Sequence, residues 1–210
     1  MTQNKPKITV FGSKPKGAIL VPTIPFNLRN DCQVGQWTNG QSMLGDKLAM
    51  TIISKKEWFG SLGSTTNADW WQLWFVAERE GTNLKVPFET VMVTYIKTAS
   101  LGNLNTVVTT MIGNGEEPSA KVFLPTFEKR SKTLESGKTA NYWTILWETR
   151  ERTDKDSKLD DLAAVVEQNN FVDVVATRRM QPGSYASLLA EGKIEENGKP
   201  IKQLSPATDF

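Results

Sequence analysis

The chain has 210 residues, 39% of them hydrophobic, and its 25 basic and 23 acidic residues leave a formal net charge of +2. This composition suits a globular core and excludes a disordered chain, while the even charge balance does not by itself indicate a polyanionic partner. Histidine is absent and the only cysteine is Cys32. These counts exclude Ser-His-Asp and Cys-His nucleophile systems, imidazole-dependent zinc sites and an intrachain disulfide.

The N-terminal residues 1–17 are basic and interrupted by proline and glycine. We expect a solvated arm there, in preference to a phosphate-contacting one. No stretch has the apolar length of a signal peptide or a membrane span. With the lone cysteine, this predicts a soluble, cytoplasmic protein without a membrane partner.

Strand composition begins at residues 18–21 and becomes convincing at 47–54, whereas the intervening 22–46 predict irregular structure because they hold prolines and glycines among polar residues. The next strand, 70–78, contains three of the seven tryptophans within five residues. Its apolar side chains alternate over two faces, so at least half of them are expected in a core, with Trp70 or Trp74 left as candidates for exposure.

The central part of the sequence continues with strand after strand. Strand composition marks four segments, 84–96, 106–112, 120–124 and 142–150. No helical period is evident between them, and this predicts a mainly β fold whose strands form an antiparallel barrel or bent sheet. Trp143 and Trp147 share one face of the last strand, and their period-two spacing predicts that both are core rings.

After residue 151 the composition changes. Residues 157–168 carry an apolar stripe at helical spacing behind capping residues and predict one C-terminal helix, and a short second helix is expected at 184–190. We therefore predict a single β-rich domain over 18–180 that includes the longer helix. Residues 181–210 should form the short helix and a flexible tail.

Two stretches that join predicted strands, residues 55–69 and 125–141, are predicted as long basic loops. Such loops beside an aromatic strand form a groove suited to single-stranded nucleic acid, because cations follow phosphates and rings stack on bases. A core position explains any single tryptophan more readily. Two adjacent large rings such as Trp58 and Phe59 are, however, unusual in a loop rich in glycine and serine, unless they pack beneath the loop or contact a ligand.

The candidate nucleic-acid-binding residues are of two kinds. Stacking is predicted for Trp58, Phe59, Trp70, Trp74 and Tyr95. Phosphate binding is predicted for Lys55, Lys56, Lys129, Arg130, Lys132 and Lys138.

Antiparallel strands, long basic loops and a tryptophan-rich strand resemble the oligonucleotide-binding (OB) fold of single-stranded DNA-binding proteins, including small phage and plasmid-encoded ones. The resemblance covers roughly residues 45–152 and implies an OB-like barrel. The terminus is also similar to that of several such proteins, in which an acidic tail closed by phenylalanine recruits replication partners. This likeness implies replication proteins as partners for Asp209 and Phe210.

The leading hypothesis is non-catalytic binding of single-stranded DNA. A structural or assembly protein of a phage or plasmid system, with the aromatic rings at a subunit interface, is an alternative, and so is a carbohydrate-binding β module. No phosphate-cradling glycine loop precedes a helix, and no pair of carboxylates marks a hydrolase. We expect no enzyme activity, cofactor or metal, and the sequence leaves homo-oligomerisation and DNA or RNA preference open.

Overall fold

The structure is a computed structural model that describes residues 18–134, 136–153, 162, 166 and 179–200. Within these residues, two α-helices have defined bounds, α1 (Thr98–Gly113) and α2 (Tyr185–Ala190). The strands are β1 (Phe26–Asn27), β2 (Arg29–Asp31), β3 (Gln36–Asn39), β4 (Ser42–Gly45), β5 (Met50–Leu62), β6 (Thr65–Ala77), β7 (Val91–Lys97), β8 (Lys121–Thr133), β9 (Thr139–Glu151) and β10 (Met180–Pro182).

Most strands belong to one curled sheet that forms a half-barrel, which confirms the predicted mainly β, barrel-like class. Its order is β1-β7-β6-β5-β8-β9, with β10 also paired to β5, while β2, β3 and β4 form a small second sheet. The purely antiparallel prediction is wrong because β1 runs parallel to β7. A connection of more than sixty residues separates these two strands, long enough for the chain to return in the same direction.

The predicted loops 55–69 and 125–141 are wrong as well. Strands β5 and β6 stay paired up to the turn between them, at Leu62 and Thr65, and form the β5–β6 ribbon. Strands β8 and β9 stay paired to Thr133 and Thr139 and form the β8–β9 ribbon. Hydroxyl-bearing and aromatic residues that look loop-like in sequence also fit a pleated surface, and long-range pairing selects the strand.

Helix α1 replaces the strand predicted at 106–112. Its threonines and valines favour a strand by propensity, but Leu104 and Met111 are buried and Leu101 and Val108 pack against the same core. These positions follow the helical spacing i, i+3, i+7, i+10, so burial of one stripe outweighs the local preference. The predicted irregular segment 22–46 likewise contains short strands, β1 to β4.

The β5–β6–β7 meander is buried on both faces. One face carries Leu73 and Phe75 into a core shared with α1, β8 and β9, where the ring of Trp147 is buried as predicted. The opposite face carries Trp70 and Trp74 into a second core. Residues covering this second core include Ile19, Val21, Leu162, Val166 and Met180.

The structure describes only part of the C-terminal region to which the predictions apply. The short helix predicted at 184–190 is confirmed as α2. Within the helix predicted at 157–168, Leu162 and Val166 are helical, and its other residues lie outside the described ones. The arm 1–17 and residues 171–178 and 201–210 also lie outside.

The segment from β1 to Cys32 lies between β7 and β9. The N–H of Leu28 donates to the carbonyl of Val93 at 2.8 Å, and the side-chain amide of Asn30 donates to the carbonyl of Tyr95 at 2.7 Å. On the other side, the N–H of Trp143 donates to the carbonyl of Cys32 at 2.8 Å. This segment therefore bridges the two ends of the half-barrel.

Because α1 is a helix, the structure predicts whether a substitution on its surface raises or lowers the free energy of unfolding. Thr109 is exposed on α1, so Thr109→Ala should raise the free energy of unfolding by about 0.5 kcal/mol, because alanine is the better helix former. Urea denaturation measures the change. As the matched control, Thr126→Ala at an exposed position of β8 should lower stability by a similar amount. A destabilising Thr109→Ala would instead support the strand.

Candidate functional site

A cavity of about 580 Å³ lies between the turn of the β5–β6 ribbon and the start of β9. We call it the inter-ribbon cavity. It is lined by residues from segments 27–33, 39–40, 62–65, 95–100 and 142–144, together with Trp70. The bridging segment, both ribbons and the β7–α1 junction thus converge on one space of the size usual for ligand sites, about 300–1,000 Å³.

Two cations line this cavity, Lys97 at the end of β7 and Arg29 at the start of β2. The Lys97 ammonium donates to the Thr65 hydroxyl and lies 5.1 Å from the centroid of the Trp70 ring, within cation–π range. Burial lowers the pKa of Lys97; the nearby Cys32 thiol opposes this shift and the Arg29 charge adds to it. The two cations are therefore close enough to repel each other.

Aromatic rings line the same space. The ring of Trp143 lies against Gly35, where an added Cβ would be 2.5 Å from Trp143 Cδ2, so only glycine leaves room for it. Tyr142, the preceding residue, is 37% exposed. Trp70 is buried, and its Nε1 donates to the carbonyl of Gly60 at 3.1 Å. Trp143 and Tyr142 are thus the rings best placed for a ligand that enters from solvent.

Cys32 lines the cavity beside Ser100. Burial raises the pKa of the Cys32 thiol, and the Asp31 carboxylate acts in the same direction. A hydrogen bond with Ser100 and the charge of Lys97 oppose this increase in pKa. The thiol is consequently a poor nucleophile at neutral pH, because only the thiolate attacks.

The β7–α1 junction forms part of the cavity wall with an unusual backbone. Thr98, the first residue of α1, has φ +50°, a left-handed conformation that is rare for a β-branched residue. Ser100 fixes this turn to β9, since its hydroxyl accepts from the N–H of Ile145 at 2.9 Å and its carbonyl accepts from Trp147 Nε1 at 3.1 Å. Tertiary contacts therefore hold a strained junction in place.

All five of the predicted stacking rings are buried, contrary to the exposure that stacking on a base requires. Trp58 donates through Nε1 to the side-chain carbonyl of Gln72 at 3.0 Å, and Gln72 donates to the Tyr95 hydroxyl at 2.8 Å. Phe59 packs against Tyr185 of α2 with ring centroids 5.2 Å apart. Trp74 is 1% exposed in the second core. These rings build the scaffold because the C-terminal segment covers the ribbon that carries them.

Of the predicted site residues, Trp70 and Tyr95 line the inter-ribbon cavity. The cations of the β8–β9 ribbon are exposed, and Lys129 pairs across the strands with Trp143, which places it next to the cavity. Arg130 pairs with Glu128. The other exposed cations of this ribbon are Lys132 and Lys138.

The predicted cations of β5 have local partners. Lys55 pairs with Glu57 at 2.8 Å and lies 4.1 Å from the ring centroid of Trp71, while Lys56 is half-buried. A second cavity, of about 670 Å³, lies beside this ribbon, but Glu57 and Asp69 line it, which suits a polyanion poorly. The predicted partner residues Asp209 and Phe210 lie outside the described residues.

Sequence reasoning missed Arg29, Lys97 and Tyr142 as site residues and interpreted Trp143 as core. Arg29 lies in a segment predicted to be irregular, and Lys97 follows a strand that carries no motif. The alternation of β9 did mark Trp143 as facing inward, but it could not show that a cavity opens there. The bridging segment creates that cavity through long-range pairing.

No family model matches the sequence, and neither a curated protein nor a solved structure matches it. Among the described residues, no three Cys, Asp or Glu side chains are grouped so as to hold a metal ion. Within the same part of the chain, every helix falls short of the length and apolar character needed to cross a bilayer. The interpretation of the site therefore rests on its geometry.

The geometry predicts that Lys97→Met raises the pKa of the Cys32 thiol further, because the substitution removes a positive charge that favours the thiolate. The ultraviolet absorbance of the thiolate, followed against pH, measures this shift. Lys85→Met, an exposed change outside the cavity, should leave the pKa unaltered. An unchanged or lower Cys32 pKa in Lys97→Met would contradict the placement of Lys97 beside the thiol.

Proposed function

We propose that the protein binds single-stranded DNA without catalysis, with the strand passing through the inter-ribbon cavity. The observation that carries the proposal is the convergence of Lys97 and Arg29 with the rings of Trp143 and Tyr142 in one cavity. Cations that neutralise phosphates beside rings that stack on bases are the two elements of sequence-independent single-strand binding.

The order of the strands supports this proposal. A three-stranded meander, β5–β6–β7, is followed by α1 and then by β8 and β9, and β8 returns to pair with β5. An OB fold is a five-stranded Greek-key barrel that binds oligonucleotides near its second and third strands and at the loops after its first and fourth strands. Those two loops correspond here to the turns of the β5–β6 and β8–β9 ribbons. The parallel strand β1 departs from that pattern.

The β8–β9 ribbon extends the positive surface beyond the cavity. Lys129 is the cross-strand neighbour of Trp143, whereas Arg130 is the neighbour of Tyr142 and shares the opposite face of β8 with Lys132. Exposed cations on the two faces of the ribbon attract phosphates through counterion release, which acts irrespective of base sequence. The cavity and the ribbon together make an extended site.

The alternatives receive less support from the geometry. A subunit interface built from the predicted aromatic residues loses its basis, because Trp58, Phe59 and Trp74 are buried within the chain itself. A neutral sugar would leave the two cavity cations without a role. Within the proposal, the cytoplasm remains the expected compartment, and Asp209 and Phe210 remain the candidate contact for a replication protein.

Binding should quench tryptophan fluorescence when oligothymidylate is added, and the affinity should fall as salt rises. A Lys129→Gln, Arg130→Gln, Lys132→Gln variant should weaken binding and reduce the slope of log K against log [NaCl] by about 2, because each phosphate contact on a single strand contributes about 0.7. The matched control is Lys47→Gln, Lys85→Gln, Lys199→Gln, whose exposed lysines lie outside the cavity and the β8–β9 ribbon.

The control variant should retain wild-type affinity and slope. A flat fluorescence titration of the wild-type protein at low salt would contradict the proposed function. An equal loss of affinity in both triple variants would mean that binding depends on the net charge of the protein and not on the position of the cations on the β8–β9 ribbon.

Tyr142→Ala separates binding from stability. Tyr142 is 37% exposed, so its truncation on strand β9 should lower the free energy of unfolding by only about 1 kcal/mol and leave the protein folded. Loss of a stacked base should weaken oligothymidylate binding by about 1–3 kcal/mol, measured by fluorescence anisotropy. Leu134→Ala, a truncation of another exposed apolar side chain at the ribbon turn, is the control and should leave the affinity unchanged. Unaltered affinity in Tyr142→Ala would remove that ring from the site.

A further inference from the structure

We propose that Lys97 and Arg29 hold one phosphodiester of the bound strand inside the inter-ribbon cavity, so that one of its two flanking bases lies against Trp143 and the other against Tyr142. This inference rests on the proposed function and adds to it a specific subsite. It distinguishes one internal phosphate contact from the diffuse contacts that the exposed ribbon offers.

The positive charges of Lys97 and Arg29 lie close together in the cavity. Lys97 and Arg29 line the same cavity and are near enough for the charge of one to act on the other. Among the described residues, no carboxylate forms an ion pair with either cation. Two like charges repel each other, and an anion placed between them would remove that cost.

Lys97 and Arg29 also carry N–H donors that the described residues leave unused. An ammonium has three N–H donors, and among the described residues Lys97 has one acceptor, the Thr65 hydroxyl. The Arg29 guanidinium has no acceptor within the described part of the chain, and its planar fork suits the paired oxygens of a phosphate. The site therefore offers several free donors to an oxyanion, and the N-terminal end of α1 adds a positive field on the same side.

One carboxylate, that of Asp31, also lines the cavity. Its Oδ1 accepts from the N–H of Gln33 at 2.9 Å within its own turn. The anion is accordingly assigned to the part of the cavity next to Lys97 and Thr65. From there the adjoining nucleotide can reach the rings of β9.

Cys32 provides a reporter for occupancy of the subsite. It is the only cysteine of the chain and lines the cavity near Lys97, so a thiol reagent applied at mildly alkaline pH modifies this one position. A strand whose phosphate occupies the subsite should shield the thiol. A strand bound only along the exposed ribbon should not.

The experiment follows the rate of Cys32 modification by dithiobisnitrobenzoate alone and in the presence of oligothymidylate of about 15 nucleotides, thymidine or inorganic phosphate, alongside tryptophan quenching. We expect the oligonucleotide to slow modification severalfold and thymidine nucleoside to leave the rate unchanged. Lys97→Gln and, separately, Arg29→Gln should each lower the salt slope by about 0.7 and weaken protection. Lys85→Gln should match the wild type. Arg29 is exposed, so its variant keeps the test valid even if Lys97→Gln unfolds.

The possible results separate the two levels of the argument. Absence of tryptophan quenching contradicts the proposed function itself. Quenching with an unshielded Cys32 and unchanged salt slopes in both variants shows that the strand binds elsewhere, which overturns the subsite alone. Protection by thymidine equal to that by the oligonucleotide would assign the cavity to the base, and protection by inorganic phosphate without protection by the oligonucleotide would assign it to a free anion. Either result overturns the proposal.

Discussion

Burial of both faces of the β5–β6–β7 meander is the constraint on which the rest of the structure depends. Each large apolar side chain that is fully buried contributes about 1.5–3 kcal/mol, and this meander presents such side chains on both sides. Two covers are therefore required. Helix α1 and the β8–β9 ribbon supply one, while residues from both terminal segments supply the other. The inter-ribbon cavity lies where the first cover meets the bridging segment.

The site is held by groups that are themselves immobilised. The chain of hydrogen bonds from Trp58 through Gln72 to Tyr95 fixes the face of the meander that lies in the second core. Ser100 ties the β7–α1 junction to β9. Positions on strands and ribbons are more rigid than positions on free loops, so the cations and rings are arranged before a ligand arrives. The two parts of the site differ in this respect, since the cations of the β8–β9 ribbon are solvated.

Local pattern was sufficient for the parts of the fold that depend on local burial. The two-sided distribution of Trp70 to Val76 predicted that at least half of these side chains are core, but it left Trp70 or Trp74 as candidates for exposure, and both are buried. The alternation of β9 predicted the burial of Trp147. Local pattern was insufficient where pairing between distant segments determines the secondary structure. The valines and threonines of α1 favour a strand until Leu104 and Met111 find a core, and the glycines near Ser61 indicate a loop until β5 and β6 pair. The candidate site has the same origin, because Arg29, Lys97 and Trp143 meet only through the bridging segment.

Strand β10 has a consequence for the edge of the sheet. Strand β8 meets β5 at Met50, and the far end of the same edge is paired with β10, from Trp58 to Gly60. Gly60 permits this approach, since a Cβ there would lie 2.4 Å from the carbonyl oxygen of Arg179. A chain shortened before residue 179 would leave those backbone groups unpaired beside the uncovered rings of Trp58 and Phe59. Unpaired strand edges next to apolar surface can pair with another chain, and residues 179–182 cover such an edge.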